Sequence, residues 1–102
     1  MPGYLYILRC SDDTLYVGST RDIVSRFEQH SSGRGAQYTR KRLPVTLVYC
    51  ATFESVSEAY AVERKIHGWS RHKREALIAG RFDLLPKLSK RGYRPTEHRD
   101  DL

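Results

Sequence analysis

Arg26 and His30 stand four residues apart in a stretch whose apolar positions, Ile23 and Phe27, repeat at helical spacing. A helix turns about 100° per residue, so both polar side chains fall within about 60° of that apolar stripe. An arginine at a core edge is ordinarily one that extends its charge to water, and a lone histidine there is ordinarily a buried, hydrogen-bonded one. Stacked together, the cation and the imidazole repel unless a carboxylate or phosphate lies between them. Glu63 is the matching oddity further along. It follows Ala59 by four residues and Val62 by one, about 40° from Ala59 on the shoulder of a second apolar stripe. A partly buried carboxylate needs a cation. Two readings follow, an internal ion pair with Arg26 as its candidate partner, or ligation of a divalent metal.

Residues on two neighbouring strands complete the set. Tyr4, Tyr6 and Leu8 share one face of a first strand, and Tyr16 and Gly18 share one face of a second. A two-residue connection would turn Tyr6 and Tyr16 to opposite faces, whereas three or five residues, or a bulge, would bring them together. Strand tyrosines are commonly sheet packing. Gly18 says more, because glycine weakens a strand unless something must approach the backbone there.

These residues must be held by short elements. Residues 4–10 and 14–19 read as strands around the turn cluster Ser11-Asp12-Asp13, an antiparallel hairpin. Thr20 or Asp22 caps a helix that runs to about residue 31 and ends at Ser32-Gly33-Arg34-Gly35. Residues 36–44 read as a basic loop closed by Pro44, and 45–53 as a third strand. Ser55-x-x-Glu58 is a capping box, followed by the stripe Ala59, Val62, Ile66 and Trp69. Lys73 to Ala79 reads as a last short helix. The order β-β-α-β-α-α predicts an α+β domain with a small, largely antiparallel sheet, spanning residues 1–82. Residues 83–102 read as an extension in which Leu84, Leu85 and Leu88 pack and the charged end frays.

The whole chain has 102 residues and a net charge of +6. That size predicts one small-cored domain, and the charge excludes an acidic disordered tail protein and makes a polyanion the first candidate partner. Neither a signal peptide nor a membrane span is expected, since Arg9, Asp12 and Asp13 interrupt the first twenty residues. Cys10 and Cys50, forty residues apart, read as buried free thiols in a reducing, cytoplasmic setting. Residues 34–42 carry Arg34, Arg40, Lys41 and Arg42 without a negative charge, and residues 64–74 carry a second basic group that includes Lys73. Such segments are either solvated surface or a phosphate-tracking surface, with Tyr38 placed to stack on a base.

The ordered set Tyr4-Leu5-Tyr6, Tyr16-Val17-Gly18, Arg26-x-x-x-His30 and Glu63 resembles the GIY-YIG nuclease domain, over about residues 4–80. Short stand-alone bacterial members are the most similar. The resemblance implies a three-stranded antiparallel sheet flanked by helices and a metal-dependent endonuclease acting on DNA, in repair or recombination. It also implies that Tyr6, Tyr16, Arg26, His30 and Glu63 are catalytic, that Glu63 holds one Mg2+ or Mn2+, and that Gly18 is structural. A tyrosinate at Tyr6 or Tyr16, its pKa lowered by Arg26 and the metal, would take the proton of the attacking water. Binding would fall to Arg34, Tyr38, Arg40, Lys41, Arg42 and Lys73. The first triplet lacks its glycine, and the asparagine that many members carry near the site has no counterpart, because the sequence contains no Asn; Lys73 or Ser70 are the substitutes in reach. The competing reading is a non-catalytic or partner-dependent nucleic-acid-binding module on the same scaffold. Oligomeric state is left open by the sequence.

Overall fold

Alternating aromatic and aliphatic residues make β1 (Gly3–Arg9) the central strand of a three-stranded antiparallel sheet ordered β2-β1-β3, with β2 at Leu15–Thr20 and β3 at Thr46–Phe53. Four helices accompany it in the computed structural model, which describes residues 1–80: α1 (Ile23–Ser31), α2 (Gln37–Arg40), α3 (Val56–His67) and α4 (Arg71–Ile78). The expectations for residues 83–102 lie outside the described residues.

The hairpin register decides which residues meet. Tyr6 lies opposite Gly18 and Leu8 opposite Tyr16, so all four share one face; Leu5, Ile7, Val17 and Ser19 share the other. The odd-numbered connection is responsible. Cys10 N donates to Thr14 O (2.8 Å) and Asp13 N to Cys10 O (2.9 Å), and Asp13 takes the left-handed conformation at φ 69°. Aspartate tolerates that conformation better than most side chains.

On the Tyr6 face a cluster of Tyr6, Leu8, Cys10 and Val45 is covered by Tyr16 and by Ile23 and Phe27 of α1. On the opposite face Leu5, Ile7 and Val17 are buried, as are Ala51 of β3 and Ala59 of α3. Burying each large aliphatic chain contributes about 1.5–3 kcal/mol, so β1 holds both layers together. Asp22 caps α1 by accepting from Ser25 N. At α3, Glu58 N donates to Ser55 Oγ, while the Glu58 carboxylate accepts from Glu54 N (both 3.2 Å), a capping box displaced by one residue.

Three expectations are corrected. Residues 36–44 are not all loop. They contain α2, a single turn whose Thr39 is fully buried and hydrogen-bonded back to Ala36 O (3.0 Å). Cys50 is an exposed free thiol, because β3 is an edge strand and its side chain lies outside the packed cluster; Cys10 is buried as expected. The last helix starts two residues early, since Ser70 caps it by accepting from Lys73 N (3.2 Å).

Two compact units divide the chain, Met1–Arg64 and Lys65–Leu102, with the boundary inside α3. Within the second unit Ile66, Ala76 and Leu77 are buried, and Arg74 donates to the carbonyls of Ile66 (3.3 Å) and His67 (3.1 Å). No helix among the described residues is long and apolar enough to cross a membrane.

Candidate active site

Tyr6 is the centre of the site because β1 is central and Gly18 lies opposite. A Cβ built at Gly18 would sit 2.6 Å from Tyr6 Cζ, closer than any real contact. The glycine exists so that the phenol can lie flat across the neighbouring strand. The approaching group that Gly18 calls for is therefore the protein's own tyrosine.

Helix α1 brings two partners to that phenol. Tyr6 Oη lies 3.0 Å from His30 Nε2, and Arg26 Nε donates to Tyr6 Oη at 3.4 Å. Arg26 Nη1 also donates to Gln29 Oε1 (2.7 Å). The group between cation and imidazole is thus a neutral phenol, where the sequence called for a carboxylate or phosphate. The imidazole is neutral as well: burial first, and Arg26 second, push its pKa down from 6.5 to about 4. Repulsion is avoided by keeping the proton off His30.

Without a metal ion beside it, Tyr6 is a phenol and not a tyrosinate. Burial pushes the Tyr6 pKa above the usual phenol range, outweighing Arg26, with Tyr16 and Glu63 also raising it. In this state Tyr6 holds its proton. Hydrogen bonding to Tyr6 in turn raises the Arg26 pKa, so the guanidinium stays charged.

Tyr16 flanks these rings. Its ring centroid is 5.2 Å from that of His30, 6.4 Å from that of Tyr6 and 6.0 Å from that of Tyr38, with which it stacks. The far side of His30 is closed by α2, where Thr39 Oγ1 lies 2.8 Å from His30 Nδ1. Gly35 makes room there, since a Cβ on it would sit 2.5 Å from His30 Nδ1.

Glu63 enters from α3. Its Oε1 accepts from Ser19 Oγ at 2.6 Å, and its charge reaches Tyr6 as noted. Ser19 lies on the opposite face from Gly18, at edge strand β2, and the carboxylate that it meets there is still close enough for its charge to act on Tyr6. Arg26 donates to Tyr6 and to Gln29.

Five of the expected site residues, Tyr6, Tyr16, Gly18, Arg26 and His30, therefore converge, with Glu63 at the edge. The basic residues divide. Arg40 and Lys41 are exposed, and Arg34 is exposed with its Nε donating to Ser32 Oγ (3.0 Å). Arg42 is a clasp. Its Nε donates to Asp12 Oδ2 (3.0 Å), its Nη1 to Tyr38 O (2.9 Å), and its guanidinium lies 3.9 Å over the Tyr38 ring. One face of Tyr38 is thereby covered. Lys73 belongs to the second unit, where its ammonium lies 4.9 Å from the Trp69 ring centroid. Four contributors escaped the sequence reading: Ser19, Gln29, Gly35 and Thr39. Gly35 looked like a helix stop, and Thr39 sat in a run without periodicity.

The geometry defines a class, and the comparisons agree with it. The chain belongs to the GIY-YIG family, whose catalytic domain matches residues 2–76. Within that family it is similar to UPF0213 proteins. One from Natronomonas pharaonis is 46% identical over 76 residues, covering 74% of this chain and 89% of the relative. Another from Streptococcus agalactiae is 51% identical over 63 residues, covering 62% and 72%. The solution structure of a UPF0213 protein from Bacillus halodurans is 41% identical, with a TM-score of 0.52 over 87% of this chain and 98% of that one. A solution structure from E. faecalis gives 0.55 at 33% identity, over 78% and 85%. Both share the α+β arrangement around a three-stranded antiparallel sheet.

Proposed function

We propose that this protein is a metal-dependent endonuclease that hydrolyses phosphodiester bonds in DNA. The observation that carries the reading is one buried phenol in contact with both a guanidinium and a neutral imidazole, with a carboxylate near enough to act on it. An anion-binding cation, a proton acceptor and a hard oxygen ligand are what phosphodiester hydrolysis requires.

Glu63 fits one Mg2+ or Mn2+. Mg2+ takes one or two carboxylates and keeps several waters. Among the described residues no group of three or more His, Cys, Asp and Glu forms a closed cage, so the fit is to a hydrated ion on a single carboxylate steadied by Ser19. When bound, the ion would supply positive charge to stabilise the leaving oxygen.

The chain's own residues supply the rest. A guanidinium has five donors, and the bonds from Arg26 to Tyr6 and Gln29 leave others for a phosphoryl oxygen. Attack by water builds negative charge on those oxygens, and a cation already in place stabilises the transition state without reorganising. Tyr6 Oη takes the water's proton as its own proton passes to His30 Nε2. Arg26 opposes a charged His30, so the transfer becomes favourable once phosphate charge lies against Arg26. Proton uptake is thus tied to substrate. Tyr16 holds the imidazole and phenol rings in place. Arg34, Arg40 and Lys41 would follow the DNA backbone, giving affinity that falls steeply with salt.

The test is nicking of supercoiled plasmid and single-stranded DNA in Mg2+ or Mn2+. Arg26→Ala and Glu63→Ala should each lower the rate by about 10²-fold or more. Variants that cut as fast as the wild type would assign the activity to a contaminant and favour the non-catalytic binding module.

A further inference from the structure

We infer that Thr39 is a positioning residue that fixes the tautomer of His30, directing the imidazole's bare nitrogen at Tyr6. This deepens the nuclease reading and rests on it for its kinetic consequence, but not for the tautomer itself.

A threonine hydroxyl has one proton to give. Thr39 Oγ1 lies 3.0 Å from Ala36 O, a carbonyl that can only accept, so the hydroxyl proton is directed there. Toward His30 Nδ1, 2.8 Å away, the oxygen is left as an acceptor, which places a proton on Nδ1. A neutral imidazole has one N–H, so Nε2 carries the lone pair. Tyr6 must then donate to Nε2, and its oxygen keeps its lone pairs for Arg26 Nε–H and for an incoming water. Every proton in the chain Ala36–Thr39–His30–Tyr6–Arg26 follows from the carbonyl at one end and the guanidinium at the other.

Burial makes the assignment strict. Thr39 and His30 are fully buried and Tyr6 nearly so, so bulk solvent does not compete for the Thr39–His30 contact. With the proton on Nε2, the bare Nδ1 would face the lone pair of Thr39 Oγ1, and the Tyr6 proton would lose its acceptor. The proton that leaves Tyr6 forms a bond to Nε2, giving a phenolate able to take the water's proton and an imidazolium whose Nδ1–H stays on Thr39. The titratable and charged groups facing His30 are Tyr6 and Tyr16 from the hairpin and Arg26 from its own helix.

The experiment is nitrogen NMR of the 15N-histidine-labelled full chain near neutral pH, on wild type, Thr39→Ser and Thr39→Val. The wild type and Thr39→Ser should show a pyrrole-like Nδ1 and a pyridine-like Nε2 for His30. Thr39→Val should shift the population toward protonated Nε2 and lower plasmid cutting by about 10- to 100-fold, with Thr39→Ser staying within about threefold. A proton on Nε2 in the wild type overturns the inference without any variant. So does a Thr39→Val protein that keeps the wild-type tautomer and rate. A wild type that never cuts while showing the expected tautomer overturns the nuclease reading alone.

Discussion

On one face of the β1–β2 hairpin, Tyr6, His30 and Thr39 are buried and bonded end to end; on the other, Ser19 and Glu63 are half-buried at an edge strand. The first chain is neutral throughout except where Arg26 touches it. The second ends in a carboxylate. On the nuclease reading proposed above, the contrast follows from what each side would handle. A proton relay in a buried interior keeps its geometry only if every donor has an acceptor, because an unpaired group there costs about 1–3 kcal/mol. A ligand for a hydrated cation must keep access to water, and an exposed edge provides it. One glycine and one serine, adjacent in sequence, separate the two.

The strongest way to break this division is to remove one function from each face. Glu63→Gln keeps the shape and should lower metal-supported cutting by about 10³-fold while raising the Mn2+ concentration needed for half-maximal rate. Tyr6→Phe should lower the rate by about 10²-fold and leave that metal requirement unchanged. Titrating both variants with Mn2+ measures the two effects. A shifted metal requirement in Tyr6→Phe would mean that the faces are not separate.

The neutral face also has a signature in stability. His30 has its folded pKa pushed down to about 4 from 6.5. Between those values the unfolded chain binds more protons, so stability rises with pH across the window and is complete above about 6.5. As the pH falls to 4, the folded state should lose about 3 kcal/mol from this residue. Urea unfolding of wild type and His30→Gln at several pH values isolates it. The wild type should carry the steeper dependence between pH 4 and 6.5, and parallel curves would mean that His30 is not held neutral by burial.

How much of this was legible in the sequence differs by residue. Arg26, His30 and Glu63 announced themselves because helical periodicity placed polar groups beside apolar stripes, and Gly18 because a glycine in a strand needs a reason. The three strands and, apart from α2, the order of elements were likewise readable from alternation and turn residues. The face shared by Tyr6 and Tyr16 was not, since it depends on the parity of a turn whose left-handed Asp13 only the folded chain reveals. Thr39 and Gly35 were illegible for another reason. Their roles come from a contact with a helix earlier in the chain, and a single turn such as α2 is too short to carry a periodic pattern. The periodicity argument did not find the Tyr6 phenol between Arg26 and His30, because arguments about repulsion look for charges and the group here is neutral; only the family resemblance set Arg26 beside a tyrosine.

Neighbouring substitutions at the hairpin sharpen the comparison further. Gly18→Ala drives a methyl into the Tyr6 ring, and relieving that overlap should cost about 1–3 kcal/mol of stability together with a loss of cutting. Ser19→Ala removes one hydrogen bond to Glu63 and should cost about 0.5–1.5 kcal/mol. Thermal unfolding ranks them, and kinetics separates them. Gly18→Ala should keep the wild-type metal requirement, whereas Ser19→Ala should weaken it. A reversed ranking would place the tighter constraint on the carboxylate side.

The basic segment repeats the same distinction between bonded and accessible groups at lower energy. Arg40 and Lys41 are exposed, while Arg42 is engaged with Asp12 and Tyr38. Charge that follows DNA must be able to release counterions, so replacing Arg40 and Lys41 with Ala should weaken binding to any DNA sequence and reduce the salt slope by about 2. Arg42→Ala should leave the slope nearly unchanged. It should instead loosen the attachment of α2 to the hairpin tip, freeing Tyr38 from one side and lowering cutting through Thr39 and His30. Fluorescence anisotropy with short duplex DNA across a range of salt separates these outcomes. If Arg42→Ala flattens the slope as much as the double variant does, the clasp opens when DNA binds, and Arg42 belongs with the phosphate contacts after all.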